Sequence, residues 1–535
     1  MTAESATPAP SPVTTRRRLP VPVDAAAILA CLAAVPVVHA IGPVLREPYV
    51  LDEAWTGLSA KAPLSQLTWL TASTPLGWTL LLRLFPVGGE AQRLLPLVFL
   101  AGSVAAAYAF GRLLGWSGRG QAVLAGLTAA AAAVLLPAQQ LRHDLKQYTA
   151  DAAIAVALFA LVAWAETRWS RRRGVVLLLA ISAGSLVSHT AILTGAAAIG
   201  GLASVALLRR AWRQVLDIAV LGALTGAVLA VVYQAVDKAG RTGDLYQFWA
   251  GFFPGIHALP GYLALRLGRL QPVLGMPWPL FLALAAVGLV VVARTGRPAT
   301  AVAVALLPPG LVVAGVARLY PLLDLRTSHF CYVTLAVVGA VGVTDLARLA
   351  GRLTRPHARI WVGAALSLVA IGGYAAANAA WLRYPVVNYD WVNEVGPTPP
   401  PGLTGDVPAQ VRYIASHRRP GDVILIHGPD EYAFAYYWSV DRPTFVRGGS
   451  GAIGWSVTYP AADRIVIAGE RDPAATRAAL TRALALTGSG GQVWLVRSHV
   501  APSDIQAWAS AVAALHVRAA RIGIDQLELI DTPSP

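Results

Sequence analysis

The sequence is poor in charged residues and in cysteine. Only 13% of its 535 residues are Asp, Glu, Lys or Arg, while 56% are hydrophobic; soluble domains carry about 25% charged residues. This composition excludes an ordinary soluble protein and predicts a polytopic membrane protein. The two cysteines, Cys31 and Cys331, fall in or beside apolar runs, so no disulfide framework is expected.

Lysine is also scarce, and the basic residues are almost all arginine. Lysine occurs only at Lys61, Lys146 and Lys238. The net charge of +15 would suit nucleic-acid binding, but the basic residues stand in short clusters between apolar runs. Such clusters are typical of the cytoplasmic loops of membrane proteins. The charge therefore indicates a lipid bilayer as partner and no nucleic acid.

Eleven apolar runs are long enough to cross a bilayer as helices. If the arginines before the first run are cytoplasmic, alternation places every dense basic cluster on that side. An odd number of spans then puts the N-terminus in the cytoplasm and the C-terminal part outside the plasma membrane. The runs lie near 24–44, 91–114, 120–137, 148–165, 174–188, 190–208, 214–234, 272–293, 298–317, 329–349 and 360–381.

Composition divides the chain into four parts. Residues 1–23 are rich in Pro, Ser and Thr and are predicted to be a disordered cytoplasmic tail, because no cleavage site follows the first apolar run. Residues 24–383 form the transmembrane domain, and the proline-rich residues 384–406 form a linker. Residues 407–535 alternate strand-like and helix-like segments, which predicts an extracytoplasmic α/β domain with a mainly parallel sheet.

The first candidate site residues are two adjacent acids, Asp52 and Glu53, just after the first apolar run. An ionisable group in or beside a bilayer is costly and is a functional candidate by default. Adjacent acids followed by Trp55 also make a poor interfacial anchor. We therefore place Asp52 and Glu53 at the centre of an active site at the membrane edge, with Lys61 in the same outer loop.

A second polar segment lies between the third and fourth spans. If it is helical, Asp144, Tyr148 and Asp151 share one face, since they stand at i, i+4 and i+7. Arg142 and Lys146 then share the neighbouring face. Acids beside cations at the mouth of a helix bundle suit the binding of an anionic headgroup and a nucleophile.

A third outer group lies just before the tenth span and comprises Tyr320, Asp324, Arg326 and His329. A single acid or arginine at a helix end is more often a cap or an interfacial anchor, and Asp151 could merely pair with a neighbouring cation. The histidines are scattered without metal-ligand spacing, so no histidine zinc site is expected.

Two motifs resemble a known superfamily. Leu51-Asp52-Glu53-Ala54-Trp55-Thr56, in a first outer loop, resembles the Asp-Glu motif of membrane glycosyltransferases of the GT-C superfamily. More closely, it is similar to bacterial proteins of glycosyltransferase family 39, relatives of protein O-mannosyltransferases and aminoarabinose transferases. The segment from Arg142 to Tyr148, followed by Asp151, is similar to their second-loop motif. The resemblance covers residues 25–170 well and is looser to about residue 350.

That resemblance implies a polytopic α-helical membrane protein with a GT-C-like catalytic domain of about 11 transmembrane helices. It also implies sugar transfer from a polyprenyl phosphate to a hydroxyl of an extracytoplasmic cell-envelope acceptor, which is a glycan, lipid or protein. Inversion at the anomeric carbon is expected, with Asp52 as the base. Glu53 would orient the acceptor or pair with a cation, and Asp144 would be a second acid. The expected substrate-binding residues are Arg142, Lys146, Tyr148, Asp151, Lys61 and Arg326.

No cofactor or metal ion is predicted, although the superfamily includes enzymes that use a divalent metal and the acids here suit either case. Two other functions are also compatible with a protein that has many membrane spans and charged residues at the membrane. A transporter or flippase for a lipid-linked sugar is the first, but the span pattern shows no internal repeat and no matching pair of broken helices. A non-catalytic scaffold in envelope assembly is the second, and it would tolerate Asp52→Asn.

Overall fold

The structure is a computed structural model. The predicted linker, apart from Asp406, most of the predicted tail and the predicted site residue Arg142 lie outside the described residues. The described residues are 21–39, 41–46, 48–49, 51–70, 73–86, 90–140, 144–235, 243–355, 358–380, 406–438, 444–448, 454–469, 473–488, 490–498, 500, 502–524 and 526–531.

Helices dominate the chain up to residue 380. The long ones follow the predicted apolar runs, because a backbone in hydrocarbon must satisfy its own hydrogen bonds. Their bounds are α1 Val21–Val38, α2 Ile41–Val44, α3 Leu51–Ser59, α4 Leu76–Leu82, α5 Leu94–Leu113, α6 Arg119–Leu135, α7 Pro137–Gln140, α8 Tyr148–Thr167, α9 Arg171–Val187, α10 Ala191–Leu208, α11 Trp212–Ala235, α12 Gly243–Phe248, α13 Leu259–Leu274, α14 Trp278–Arg294, α15 Pro298–Val316, α16 His329–Gly351 and α17 Arg359–Ala377.

The protein is a multi-pass membrane protein. Within the described residues, seven helices are long and apolar enough to cross a membrane, and α13 with α14 makes an eighth if the bent pair counts as one span. Each of the eleven predicted spans overlaps a helix. The helices at 24–44, 120–137 and 174–188 have 18, 17 and 17 residues and fall outside those eight.

The predicted start of the span at 272–293 is wrong, because the chain breaks there. Gly275 ends α13 with φ +71°, and Pro277 precedes α14, so the two helices meet at 80°. The side chains of Tyr374 and Asn378 donate hydrogen bonds to the carbonyls of Leu274 and Gly275, over 2.9 and 3.1 Å. These bonds satisfy backbone groups that the break releases.

Helices α8 and α16 form the centre of the bundle. In the apolar stretches of α8 and α16, 78% and 72% of the residues are buried in the protein. Only 11% are buried in α11 and in α17, so these two helices lie at the periphery of the bundle. Glycines allow close packing against α16: a Cβ added to Gly288 of α14 would lie 1.9 Å from the carbonyl oxygen of Val338. Small residues that bring helix backbones together are typical of membrane bundles.

The C-terminal α/β region, residues 406–531, contains a five-stranded sheet. The elements of this region are α18 Val407–His417, β1 Val423–Ile426, α19 Glu431–Trp438, β2 Thr444–Arg447, β3 Trp455–Thr458, β4 Ile465–Ile467, α20 Pro473–Leu486, β5 Gln492–Val496, α21 Pro502–Ala514, β6 Arg518–Arg521 and β7 Glu528–Asp531. The strand order in the sheet is β4-β1-β5-β7-β6. Strands β4, β1 and β5 are parallel, and β7 and β6 are antiparallel to their neighbours.

The predicted α/β architecture is confirmed, but the sheet is mixed instead of mainly parallel. The edge strand β6 has the sequence Arg-Ala-Ala-Arg and is exposed along its length. It carries neither β-branched nor aromatic residues, which are the usual signal of a strand. The hairpin of β2 and β3 forms a separate two-stranded sheet and was also not predicted.

Two apolar cores cover the faces of the five-stranded sheet. One contains Trp508 with residues of α20 and α21. The other is continuous with α3, α4 and their loops at one end of the membrane region, and in it Trp55, Leu58 and Trp78 pack together with Tyr432 and Trp455. The α/β region therefore lies directly on the segment that carries the adjacent acids.

Candidate active site

The candidate site lies where the two central helices begin. Lys146 and Tyr148 lie at the N-terminal end of α8, and Arg326 and His329 lie at that of α16. The N-terminal end of a helix carries unpaired N–H groups and a partial positive charge, so it favours anions. The short helix α3 adds Asp52 to this end of the bundle.

Asp52 and Arg326 form an ion pair. Nη1 of Arg326 donates a hydrogen bond to Oδ2 of Asp52 over 2.6 Å, and the two side chains are 14% and 28% exposed for arginine and aspartate. The guanidinium also lies 5.5 Å from the ring centroid of Trp249. The structure therefore brings together a carboxylate and a cation that the sequence placed in different loops.

The loop before α16 holds Arg326 in place. The carboxylate of Asp324 accepts hydrogen bonds from the backbone N–H groups of Arg326 and Thr327, over 2.9 and 2.8 Å. The hydroxyl of Tyr320 donates to the carbonyl of Thr327 over 2.9 Å, and His329 pairs with Gln139 over 2.7 Å. Asp324, Tyr320 and His329 thus shape the loop.

Lys146 is buried beside this ion pair, at 4% exposure. Its ammonium lies 4.2 Å from the ring centroid of Trp55 and donates to the hydroxyl of Ser73 over 3.4 Å. Burial lowers the pKa of Lys146 to about 8; the carboxylates of Asp52 and Asp144 raise it, and the guanidinium of Arg326 lowers it further. Two cations close together, Lys146 and Arg326, can bind an anionic ligand.

Asp144 does not belong to the helical face that the sequence predicted. Helix α8 begins only at Tyr148, and residues 144–147 form a bend. The carbonyl of Leu145 accepts a hydrogen bond of 2.7 Å from the indole of Trp78, which ties this segment to α4. The condition for a shared face, a helix from Asp144 to Asp151, is therefore not met, although Asp144 still lies close enough to Lys146 to affect its pKa.

Glu53 has a different partner from Asp52. Consecutive residues on a helix point about 100° apart, and Glu53 points into the protein, where it is 5% exposed. Nε of Arg93 donates to its carboxylate over 2.8 Å, and Nη2 forms a second, short hydrogen bond. Arg93 also donates to the carbonyls of Val44 and Pro48. This bidentate pair anchors α3 to the start of α5.

Tyr148 and Asp151 lie deeper in the bundle, at 6% and 1% exposure. Asp151 lies beside the turn between α9 and α10, close to Ser188, His189 and Thr190. Lys61 points elsewhere: its ammonium lies 3.7 Å from the ring centroid of Tyr436 in the α/β region.

A buried arginine of α13 near the site was not among the predicted site residues. Arg266 on α13 is 7% exposed, its guanidinium lies 4.0 Å from the ring centroid of Phe252, and its Nε donates to the hydroxyl of Tyr262 over 3.3 Å. The same hydroxyl donates to the carbonyl of Leu322 in the loop of Arg326. Its only sequence signal is a mixed aromatic and basic segment, which is equally typical of an interfacial helix.

Among the residues that the structure describes, no group of three or more His, Cys, Asp or Glu side chains is arranged to hold a metal ion. The site in this part of the chain consists of carboxylates, cations and aromatic rings. It can accept a proton, bind an anion and pack against an apolar or sugar ring.

Comparison with protein-family models gives no match, and comparison with curated proteins gives none. Among solved structures, the chain is similar to ArnT from Cupriavidus metallidurans bound to undecaprenyl phosphate, at 13% identity and a TM-score of 0.50, over 95% of this chain and 98% of that one. It is also similar to the apo oligosaccharyltransferase of Archaeoglobus fulgidus, at 12% identity and a TM-score of 0.50, over 78% of this chain and 64% of that one.

The chain thus spans less than two thirds of the length of that oligosaccharyltransferase and nearly all of ArnT. Both are GT-C glycosyltransferases. The chain has the GT-C fold, and the resemblance noted in its two motifs is confirmed at the level of the fold.

Proposed function

We propose that the protein is a glycosyltransferase that moves a sugar from a polyprenyl phosphate to a hydroxyl of a cell-envelope acceptor. The observation that carries this proposal is the buried Lys146 beside the Asp52–Arg326 ion pair, at the N-terminal ends of two central membrane helices. A lipid-linked donor explains why such a site lies at the end of a membrane bundle, because the prenyl chain can stay in the bilayer.

Asp52 is the general base of the proposed reaction. Its carboxylate takes the proton of the acceptor hydroxyl, and the acceptor oxygen bonds to the anomeric carbon from the face opposite the phosphate. The bond from that carbon to the phosphate oxygen breaks, and its electron pair stays on the phosphate. The sugar is inverted, and the donor phosphodiester leaves as a polyprenyl phosphate monoester with one more negative charge.

Lys146 and Arg326 stabilise that leaving group. The charge on the phosphate grows as the bond breaks, so cations fixed beside it stabilise the transition state more than the ground state. A guanidinium carries five N–H donors, so Arg326 can hold Asp52 and a phosphate oxygen together. Arg266, reached through Tyr262 and the loop of Arg326, is a third cation of the same region.

The other predicted site residues take supporting roles in this proposal. Glu53 fixes α3 through Arg93, so it positions Asp52. Asp144 contacts the acceptor or orients Lys146, and Tyr148 and Asp151 line the floor of the site. Lys61 acts at the contact with the α/β region, and Arg142 retains the phosphate-binding role that its motif predicts.

We further propose that the site end of the bundle is extracytoplasmic and that the N-terminus is cytoplasmic. The ion pair of Asp24 with Arg112 and the cap that Glu166 forms on the start of α15 lie at the other end. The division into tail (1–23), membrane domain (24–383), linker (384–406) and outer α/β domain (407–535) belongs to the same proposal.

The test is transfer of radiolabelled sugar from a panel of polyprenyl-phosphate sugars by membranes that contain equal amounts of wild-type or Asp52→Asn protein. Loss of a general base costs about 10²–10⁴-fold, so the variant should lose transfer. Asp217→Asn is the matched control, since Asp217 pairs with the exposed Arg171, and it should transfer like wild type.

Equal transfer by Asp52→Asn and wild type would show that Asp52 is not the base. If no donor reacts but the wild-type protein moves a labelled lipid across the bilayer, the protein is a flippase instead.

A further inference from the structure

The indole of Trp55 contacts both Lys146 and the C-terminal α/β region. Its ring centroid lies 4.2 Å from the ammonium of Lys146. The same ring packs against Tyr432 of α19 and Trp455 of β3, with centroid distances of 5.9 and 6.4 Å. Trp55 is 4% exposed, so these contacts surround it in the folded protein.

Tyr432 and Trp455 form a stiff unit. Their rings are 4.9 Å apart in a T-shaped arrangement, and the hydroxyl of Tyr432 donates to the carbonyl of Trp455 over 2.5 Å. Phe445 of β2 packs on Trp455 at 5.4 Å. Tyr432 is 5% exposed and Trp455 is 1% exposed, so neither ring can move without disturbing the hairpin or α19.

The α/β region holds α3 at a second place. A Cβ added to Gly57 of α3 would lie 2.9 Å from the ring of Tyr436, so glycine permits this close approach. The hydroxyl of Tyr437 accepts a hydrogen bond of 2.7 Å from the backbone N–H of Tyr49, just before α3. The helix that carries Asp52 and Trp55 is thus packed directly against α19.

We propose that Tyr432 and Trp455 are positioning residues: they hold Trp55 against the ammonium of Lys146, so that the α/β region completes the donor-phosphate site. The donor phosphate is that of the transfer reaction proposed above, so this inference rests on that proposal. A buried ammonium is stabilised by an aromatic face. Because Tyr432 and Trp455 fix the ring of Trp55, that ring keeps the ammonium of Lys146 in the position where it would bind the donor phosphate.

Several charged groups face Lys146 and set its behaviour together with the ring. They are the carboxylates of Asp52 on α3 and Asp144 on its own loop, and the guanidinium of Arg326 before α16. Burial is the largest influence on its pKa. If Trp55 is released, water reaches the ammonium, and the pKa should rise from about 8 toward the ordinary value of 10.5.

The chain offers a clean test because it has only three lysines. Competitive labelling of the purified full-length protein with acetic anhydride over a pH series, read by mass spectrometry, gives the reactivity and titration of each. The test variant is Trp455→Leu. The matched control is Trp508→Leu, because Trp508 is 2% exposed in the other apolar core of the same region. Binding of undecaprenyl phosphate is measured in parallel.

In Trp455→Leu the pH at which Lys146 is half-labelled should rise, because its pKa rises. Undecaprenyl phosphate should bind roughly tenfold more weakly. Trp455→Phe keeps an aromatic ring at this position, so its labelling midpoint for Lys146 and its binding of undecaprenyl phosphate should be close to those of wild type. In Trp508→Leu both should remain as in wild type. An unchanged Lys146 in Trp455→Leu, or an equal change in Trp508→Leu, would overturn the inference.

The outcome for the transfer reaction is read separately. If wild type binds undecaprenyl phosphate, Trp455→Leu weakens that binding, and yet no donor sugar is transferred, the positioning role stands and the proposed reaction fails.

Discussion

Arg326 donates a hydrogen bond of 2.6 Å to the carboxylate of Asp52, although the two residues are 274 positions apart in the chain. The pair joins the start of α3 to the loop before α16, and Lys146 lies close enough for both to affect its pKa. One N–H of the guanidinium binds this carboxylate oxygen at 2.6 Å, so in the proposed reaction other N–H groups of Arg326 can bind the donor phosphate while Asp52 stays in place to accept the proton. The ion pair therefore couples the two halves of the proposed reaction.

Arg326→Lys should lower kcat/KM for the lipid donor on the order of a hundredfold. Lysine keeps the charge but lacks the planar fork that can hold a carboxylate and a phosphate at once. The measurement is steady-state transfer at equal protein levels. Arg171→Lys is the control, because Arg171 is 84% exposed in its pair with Asp217 and such pairs contribute little. Wild-type kinetics in Arg326→Lys would contradict the role given to the guanidinium.

The pH profile of transfer should fall on the alkaline side as Lys146 loses its proton. Burial lowers the pKa of Lys146 to about 8, so the cation is present below that pH and is lost above it. Lys146→Arg should be slower, because the larger head does not fit, but its alkaline limb should move up, since a guanidinium titrates above about pH 12. A profile of kcat/KM that is flat through this range in wild type would refute Lys146 as the phosphate-binding cation.

Glu53→Gln should destabilise the protein by about 3–5 kcal/mol, because it leaves the buried Arg93 without its partner charge. Thermal unfolding in detergent measures this effect. The double variant Glu53→Gln with Arg93→Gln should recover part of the loss, since no uncompensated charge remains. If Glu53→Gln unfolds like wild type and yet transfers no sugar, Glu53 acts in catalysis and not as an anchor.

Gly275→Ala should destabilise the bend between α13 and α14 by roughly 1–3 kcal/mol, since only glycine adopts φ +71° without strain. A Cβ there would also lie 2.6 Å from the hydroxyl of Tyr374. Gly268→Ala on α13, where a Cβ meets nothing within 4 Å, should instead stabilise the helix by about 0.5–1 kcal/mol. Thermal unfolding of the two variants should move in opposite directions, and equal shifts would argue against the strain.

The sequence by itself determined the membrane class, the positions of the long helices and the alternation of strands and helices after residue 406. Apolar runs specify membrane helices because the bilayer leaves the backbone no other partner. Charges at a membrane edge are costly, so the sequence also predicted Asp52, Lys146 and Arg326 as candidate site residues. The structure brings these three side chains together.

Only the tertiary structure decided which groups meet. Asp52 and Glu53 are neighbours in the chain, but successive positions on α3 point in different directions, so one reaches Arg326 and the other Arg93. Just before α8 begins, the carbonyl of Leu145 accepts a hydrogen bond from Trp78 of α4, and no local sequence pattern predicts this contact. The packing of Trp55 between Lys146 and the aromatic rings of the α/β region likewise joins segments that are far apart in the chain. Sequence shows that these side chains are apolar or charged, but only the fold determines which of them are buried against one another.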